Sequence, residues 1–100
     1  MLIDHTRREI VRASREITVI NKLGLHARPA AEFVRRANAF RSQIWLVTTT
    51  GRYSALSLID VMRANLECGA VATLEAVGTD AEEAIERLAK VVRELPDYND

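Results

Sequence analysis

The sequence has little of several residue types, and each shortage excludes a class of protein. Cys68 is the one cysteine among 100 residues, so a secreted scaffold held by disulfides within the chain is excluded. Two prolines and four glycines are too few for a low-complexity linker. No apolar run approaches the ~20 residues that span a membrane, and no apolar signal region precedes Arg7. We therefore expect a cytoplasmic protein that is neither exported nor inserted in a membrane.

The chain also lacks an excess of charge of either sign. Its 14 basic residues balance its 14 acidic residues, which disfavours a protein that coats nucleic acid through bulk charge. The distribution along the chain is uneven. Residues 22–41 carry five basic residues and one acidic residue, whereas residues 75–100 carry three basic and eight acidic residues. The segment that includes His26 is therefore locally basic.

The length and the 48% of hydrophobic residues fit one compact domain. The first fifteen residues are polar and rich in arginine, which leaves both a short helix and a frayed tail open. We therefore divide the chain into an N-terminal extension over residues 1–15, one domain over residues 16–96 and a C-terminal tail over residues 97–100.

Hydrophobic periodicity predicts four strands and three helices in the domain. Helices interspersed with a hairpin favour an α+β sandwich of two layers, in which the helices cover one face of a mainly antiparallel sheet. In chain order, the predicted elements are a strand over 16–21, a helix over 29–41, strands over 43–50 and 52–55, a short helix from residue 57 that ends between 65 and 69, a strand over 70–77 and a helix over 80–95.

Two helix starts carry capping signals. Ser57 precedes an apolar run and has Asp60 three residues on, which predicts an N-cap for the short helix. Thr79 with Glu82 has the spacing of a capping box for the last helix. The predicted buried stripe of that last helix comprises Ala81, Ala84, Ile85, Leu88, Val91, Val92 and Leu95.

The segment Gly24 to Ala30 combines the residue types that phosphate chemistry needs. His26 falls in the loop before a helix whose first turn contains Pro29. N–H groups at a helix N-terminus point outward, and with the helix dipole they form an anion site. Arg28 adds a permanent cation that can hold a phosphoryl group through two hydrogen bonds, and a neutral imidazole is a good nucleophile. The segment predicts reversible phosphorylation of His26, with the N–H groups of Ala27 and Arg28 stabilising the transferred group.

Other kinds of site fit these residues less well. No carboxylate lies beside His26 in the sequence, so transfer between partners is favoured over hydrolysis. His5 and Cys68 have no partner at metal-ligand spacing, and we expect no metal site. The chain has neither a serine on a Gly-rich elbow nor a Gly-rich nucleotide loop. A histidine before a helix is often only a cap or a surface residue, and the residue types alone leave that alternative open.

The motif around His26 is long and specific. Residues 21–31 read NKLGLHARPAA and closely resemble the active-site signature of the HPr family, the histidine-containing phosphocarriers of the bacterial phosphoenolpyruvate-dependent phosphotransferase system. The resemblance covers residues 16–95 in the order of elements. It implies an open-faced β-sandwich with four antiparallel strands and three helices on one side. It also implies that His26 takes phosphate on Nδ1 from phosphorylated enzyme I and passes it to an enzyme IIA domain, while Arg28 steadies the phosphate.

The resemblance further implies a phosphocarrier without a cofactor, rather than a stand-alone enzyme. Phosphoenolpyruvate stands at the head of its donor chain, and we also expect a monomer. In many relatives a dedicated kinase phosphorylates a serine at the start of the short helix, and Ser57 matches that position. Two residues depart from the pattern. Asp60 stands where many relatives carry glycine or lysine, and we expect its charge to face the docking surface beside His26. Asn65 stands where relatives often have glycine, and asparagine can adopt the left-handed conformation.

The apolar residues of the short helix predict a docking patch beside the histidine, unless they all pack in the core. Arg35 would steer acidic partners toward that patch. Two alternatives to the sugar-uptake carrier stay open. One is a nitrogen-related regulatory carrier, to which residues 21–24 also point, and the other is a non-catalytic interaction module that binds a regulator through the patch. The predicted docking patch consists of Leu58, Ile59 and Met62.

Overall fold

The computed structural model describes residues 10–97, which form one antiparallel sheet and three helices. The strand order in the sheet is β1-β4-β2-β3, so β1 and β3 lie at the edges. The predicted open-faced α+β sandwich, with a four-stranded antiparallel sheet covered on one face by helices, is confirmed. No helix in this described range is long and apolar enough to cross a membrane. The elements are β1 (Val11–Thr18), α1 (Ala27–Ala37), β2 (Gln43–Thr48), β3 (Gly51–Ser54), α2 (Leu58–Arg63), β4 (Val71–Gly78) and α3 (Ala81–Glu94).

The core lies between the helices and the inner face of the sheet, and strand alternation explains its composition. Leu46 of β2 is paired with Leu74 of β4, and both are fully buried because alternate residues of a strand point to the same side. Phe33 of α1 and Leu88 of α3 are fully buried from the helical side. The remaining residues of the central strands face outward, where Arg52 stacks 3.8 Å from the ring centroid of Trp45.

The first strand begins earlier than predicted. It spans Val11–Thr18 instead of residues 16–21 and pairs with β4 along its whole length, from Val11 opposite Gly78 to Thr18 opposite Val71. Residues 11–15 therefore belong to the sheet and not to the N-terminal extension, and residues 1–9 lie outside the described range. The first half of β1 is hard to recognise in the sequence because its exposed residues are polar, as expected for an edge strand with one open face.

The long helices begin or end at other residues than predicted. The helix α1 begins at Ala27 and ends at Ala37, where the side chain of Asn38 donates to the carbonyl of Val34 at 2.8 Å and helps to end the helix. The predicted capping box at the start of α3 is wrong, since Asp80 is the N-cap residue and makes no side-chain cap hydrogen bond. Its carboxylate instead accepts hydrogen bonds from the loop that follows α1.

Candidate functional site

The backbone places His26 at the N-terminus of α1. His26 is the N-cap residue, with an extended backbone, and its carbonyl accepts a hydrogen bond from the N–H of Ala30 at 3.4 Å. Its half-buried imidazole makes no cap hydrogen bond to the helix. The main chain of His26 therefore starts the helix while the ring is not used for capping.

The next residue has an unusual backbone conformation. Ala27 has a φ of 47°, in the left-handed region that L-residues with a side chain avoid at a cost of about 1–2 kcal/mol. Such a conformation persists only where the surrounding structure determines it, and it is frequent at functional sites. Arg28 follows at an exposed position in the first turn of α1. The histidine, the first N–H groups of the helix and the arginine thus lie on three consecutive residues, as the sequence predicts.

A closed turn over residues 21–24 leads into this site. The N–H of Gly24 donates to the carbonyl of Asn21 at 3.1 Å, and the side-chain amide of Asn21 donates back to the carbonyl of Gly24 at 2.9 Å. Gly24 has a φ of +69°, and a Cβ at this position would lie 2.8 Å from the Cα of Glu67. The turn is therefore closed from both sides and packed against the segment that follows α2.

The side chain of Asn21 is buried, with 3% of its surface exposed. Its Oδ1 atom is also buried and accepts no hydrogen bond from the described residues. A typical internal hydrogen bond contributes about 0.5–1.5 kcal/mol, whereas an unsatisfied buried polar atom costs about 1–3 kcal/mol. The stabilisation from the one hydrogen bond and the cost of the unsatisfied oxygen therefore roughly cancel or leave a net cost. Stability alone does not account for a buried amide at this position.

Two further contacts hold the histidine loop to distant parts of the chain. The N–H of Leu25, which is fully buried, donates to the carbonyl of Leu66 at 2.7 Å. The N–H of Lys22 donates to the carboxylate of Asp97 at 2.6 Å, which ties the first residue of the predicted C-terminal tail to the loop. Neither contact has a signal in the sequence, since each partner is distant along the chain.

The helix α2 lies beside α1, and hydrogen bonds near both ends of the pair show that the two helices run in opposite directions. At one end, the side chain of Asn38, just after α1, donates to the carbonyl of Leu56, just before α2, at 3.1 Å. At the other end, Leu66 follows α2 and contacts Leu25 in the histidine loop. The last turn of α2 is therefore nearer to His26 than its first turn.

The docking patch is exposed, so the alternative that all three residues pack in the core is wrong. Leu58, Ile59 and Met62 are 40%, 71% and 43% exposed, while Val61 of the same helix is fully buried. Because Met62 lies in the last turn of α2, it is the patch residue nearest to the histidine loop. An exposed apolar group of this kind is typical of a protein-binding surface.

Ser57 caps α2 as predicted, since its Oγ accepts a hydrogen bond from the N–H of Asp60 at 3.2 Å. The carboxylate of Asp60 turns back and accepts a hydrogen bond from the N–H of Ser54 at 3.1 Å. The expectation that Asp60 presents its charge to the docking surface therefore needs correction, because its half-buried carboxylate is engaged next to β3. Asn65 has a φ of 52°, which confirms the expected left-handed conformation.

The basic residues of α1 are organised around one acid. Arg35 and Arg36 donate to the carboxylate of Glu32 at 2.7 and 2.9 Å. Hydrogen bonds from Arg36 and then from Arg35 outweigh the effect of burial and lower the pKa of Glu32 below its usual value. Arg35 is exposed but forms an ion pair with Glu32, so it is not an isolated cation facing the patch.

The comparisons with known proteins agree with this geometry. The family model described as "PTS HPr component phosphorylation site" matches residues 13–94. The chain is 37% identical over 82 residues to phosphocarrier protein HPr of Haemophilus influenzae, which covers 82% of this chain and 96% of the relative. It is 40% identical to the HPr-like protein Crh of Bacillus subtilis, over 79% of this chain and 93% of the relative.

The chain belongs to the HPr family. Its fold matches the crystal structure of phosphocarrier protein HPr from Bacillus anthracis with a TM-score of 0.77 and 36% identity, covering 80% of this chain and 95% of that one. HPr proteins are phosphocarriers of the phosphotransferase system, so membership implies a phosphocarrier role with partners such as enzyme I and IIA-type proteins. Within residues 10–97 of this HPr-family chain, no group of three or more His, Cys, Asp and Glu residues could hold a metal ion.

Proposed function

We propose that His26 accepts a phosphoryl group from phosphorylated enzyme I and passes it to an enzyme IIA domain. The observation that carries this proposal is the position of His26 as the N-cap residue of α1, with an imidazole that makes no cap bond to the helix. The adjoining N–H groups and Arg28 supply hydrogen-bond donors that would stabilise the negative charge of the phosphoryl group during its transfer. This function is that of a carrier and not of a stand-alone enzyme, because His26 receives the phosphoryl group from one protein and passes it to another.

The transfer balances without a cofactor. The lone pair of Nδ1 of neutral His26, whose proton is on Nε2, attacks the phosphorus, and the P–N bond to the donor histidine breaks. The donor ring keeps that electron pair and becomes neutral imidazole, while the ring of His26 becomes an N-phosphorylated imidazolium. The second transfer repeats this step toward the IIA domain. The phosphoryl group thus moves with no net proton exchange, and the first donor upstream is phosphoenolpyruvate.

The docking patch of Leu58, Ile59 and Met62 would seat these partners beside the site. It lies on the helix next to α1, and its last residue is on the side of the histidine loop. Carrier and docking module both need such a surface, so the patch does not distinguish them. His26 and Arg28 do, because a pure docking module needs neither. Similarity to Crh, which a solution structure describes as the catabolite repression HPr of Bacillus subtilis, keeps a regulatory role as the second candidate.

Ser57 is the proposed regulatory phosphorylation site. A phosphate there would lie at the first turn of α2, on the end away from the histidine loop and next to Leu58 of the docking patch. It would act by adding negative charge beside the patch and repelling acidic partners, not by contact with the phosphohistidine. Acid-stable phosphate after incubation with ATP and a cognate serine kinase, absent in Ser57→Ala, is the expected result. A wild-type chain that takes no such phosphate refutes this regulation.

The labelling of His26 tests the carrier function directly. The protein is incubated with its cognate enzyme I and labelled phosphoenolpyruvate, and we expect an acid-labile phosphate on the wild type. Ser57→Ala should take the same amount of label, because the serine is not the acceptor, and His26→Ala should take none. Wild-type protein without label, or label retained by His26→Ala, contradicts the proposal.

A further inference from the structure

The turn that leads into the proposed phosphorylation site is closed by one backbone hydrogen bond and by the side chain of Asn21. The amide of Asn21 donates to the carbonyl of Gly24, which lies two residues before His26. The carbonyl of Gly24 can only accept, so Nδ2 is the atom that faces it and the orientation of the amide is determined. The other amide atom, Oδ1, is buried and accepts nothing from the described residues. The molecule therefore keeps a buried amide of which it uses only one half.

This contact is the first link in a chain of backbone constraints that ends at the site. Gly24, held by Asn21, has a left-handed backbone and packs on Glu67, and Leu25 bonds the carbonyl of Leu66. The strained Ala27 comes three residues after Gly24. A strained conformation needs neighbours that fix the chain on its way in. The segment before Ala27 contains the turn that Asn21 closes, and the segment after Ala27 is the helix α1.

We propose that Asn21 is a positioning residue for phosphoryl transfer, which rests on the proposed function of His26. Its side-chain amide fixes the turn over residues 21–24, so that the imidazole of His26 and the first N–H groups of α1 keep the relative orientation that transfer requires. Small misplacements at a reacting centre are costly, and a 1 Å shift can slow a reaction ~100-fold. Asn21 itself touches neither the imidazole nor the phosphoryl group in this role.

The test uses the full chain with two variants of Asn21. Asn21→Leu keeps the size of the side chain and removes both the donor and the unsatisfied oxygen, while Asn21→Ala removes the donor with a smaller side chain. Ser42→Ala is the matched control, because Ser42 is the other buried polar residue of the described chain. It follows α1 at the far end, so about 16 Å of helix separates it from His26.

We expect opposite results from the two positions. Asn21→Leu should unfold at the same urea concentration as the wild type while its kcat as acceptor from phosphorylated enzyme I falls about tenfold at unchanged KM. Ser42→Ala should unfold at lower urea but keep kcat. The proposal is overturned if both Asn21 variants keep the wild-type kcat. It is also overturned if their kcat/KM falls only in proportion to their loss of stability.

A second readout needs no enzyme I. The NMR coupling constant between the amide and α protons of Ala27 reports its φ, and it should change in both Asn21 variants but not in Ser42→Ala. If the coupling is unchanged in the Asn21 variants, Asn21 does not set the geometry and the proposal fails even where His26 is phosphorylated. If the coupling changes but wild-type protein takes no phosphate, the proposed function fails instead, and Asn21 is left as the residue that fixes the loop.

Discussion

Asp80 joins the start of α3 to the loop that follows α1. Its carboxylate accepts hydrogen bonds from the N–H of Arg41 at 2.9 Å, the N–H of Ser42 at 3.0 Å and the hydroxyl of Ser42 at 2.6 Å. Burial alone would raise the pKa of Asp80, but these hydrogen bonds outweigh it and lower the pKa below its usual value. The folded state therefore stabilises the charged form of the Asp80 carboxylate.

Replacing Asp80 tests this contact through its dependence on pH. Because the pKa of the folded state is lowered from an unfolded value of about 3.9, the stabilisation is complete above that value and is lost as the pH falls through the lowered pKa. We expect Asp80→Asn to lower the free energy of unfolding by about 1–2 kcal/mol at pH 7. Urea unfolding at pH 7 and at pH 3 measures the change, and a loss of equal size at both pH values would contradict it.

Gly24 is the glycine of the site whose replacement the structure forbids most clearly. A Cβ there would collide with the carbonyl oxygen of Leu66 and lie 2.8 Å from the Cα of Glu67, in addition to the strain of a φ of +69°. We expect Gly24→Ala to lower the free energy of unfolding by about 2–3 kcal/mol. Gly69→Ala is the control, since Gly69 also has a positive φ, +92°, but a Cβ added there would meet nothing within 4 Å. It should cost about 1 kcal/mol, and equal losses at the two glycines in urea unfolding would rule out the collision.

At the scale of elements, α2 is the one most dependent on its cap. It has only six residues, and a helix so short forms through its cap and its packing and not through propensity. Ser57 supplies the cap and stands next to the exposed Leu58. The same side chain therefore serves the helix start and, in the proposed function, the regulation of docking.

The two roles of Ser57 separate in two substitutions. Ser57→Ala removes the cap, and we expect it to lower the free energy of unfolding by about 1 kcal/mol without changing His26 phosphorylation in conditions where the chain is folded. Ser57→Asp keeps a good N-cap, so its stability should match the wild type within a few tenths of a kcal/mol, roughly, while its added charge slows phosphorylation by enzyme I. Thermal unfolding and the labelling rate measure both effects. If Ser57→Asp were labelled as fast as the wild type, charge at this position would not control docking.

How much the sequence predicts also differs by element. The sequence predicts β2 and β4 to within two residues at each end, because both strands have apolar residues at every second position and such alternation is a local signal. The sequence predicts the start of the first strand five residues too late, because Arg12, Ser14 and Arg15 are exposed on an edge strand and resemble a polar tail. The capping box at Thr79 was wrong, because the loop after α1 takes the carboxylate of Asp80, which is a tertiary contact.

The candidate site divides in the same way. The position of His26 directly before a helix could be predicted, because a helix start is a local feature and the motif is long. The contacts that hold the histidine loop could not. Lys22 meets Asp97 across 75 residues, and the buried amide of Asn21 is identified only by its burial and its unsatisfied oxygen. A pattern in the sequence can report neither of these.

At the scale of the whole molecule, a net charge of zero conceals a division between regions. The segment over residues 22–41 is basic and the last 26 residues are acidic, as the sequence shows. In the fold, Glu32 is the one acid of α1 and binds two of its arginines. Hydrogen bonds from Arg36 and then from Arg35 lower the pKa of Glu32 below its usual value. The helix that begins after His26 therefore carries three arginines against this single carboxylate.

Removal of that carboxylate should strengthen the attraction of acidic partners. Attraction between charged surfaces acts mainly on the rate of encounter and weakens with salt. We expect Glu32→Gln to lower the KM for phosphorylation by enzyme I roughly threefold at low salt, and the gain should vanish near ~1 M NaCl, where the screening length falls to about 3 Å. The matched control is Glu75→Gln, because Glu75 also pairs with an arginine, Arg52, but on the open face of the sheet away from the helices. Initial rates of labelling at several salt concentrations measure the effect, and an equal response of both variants would show that net charge, and not the field at α1, governs the encounter.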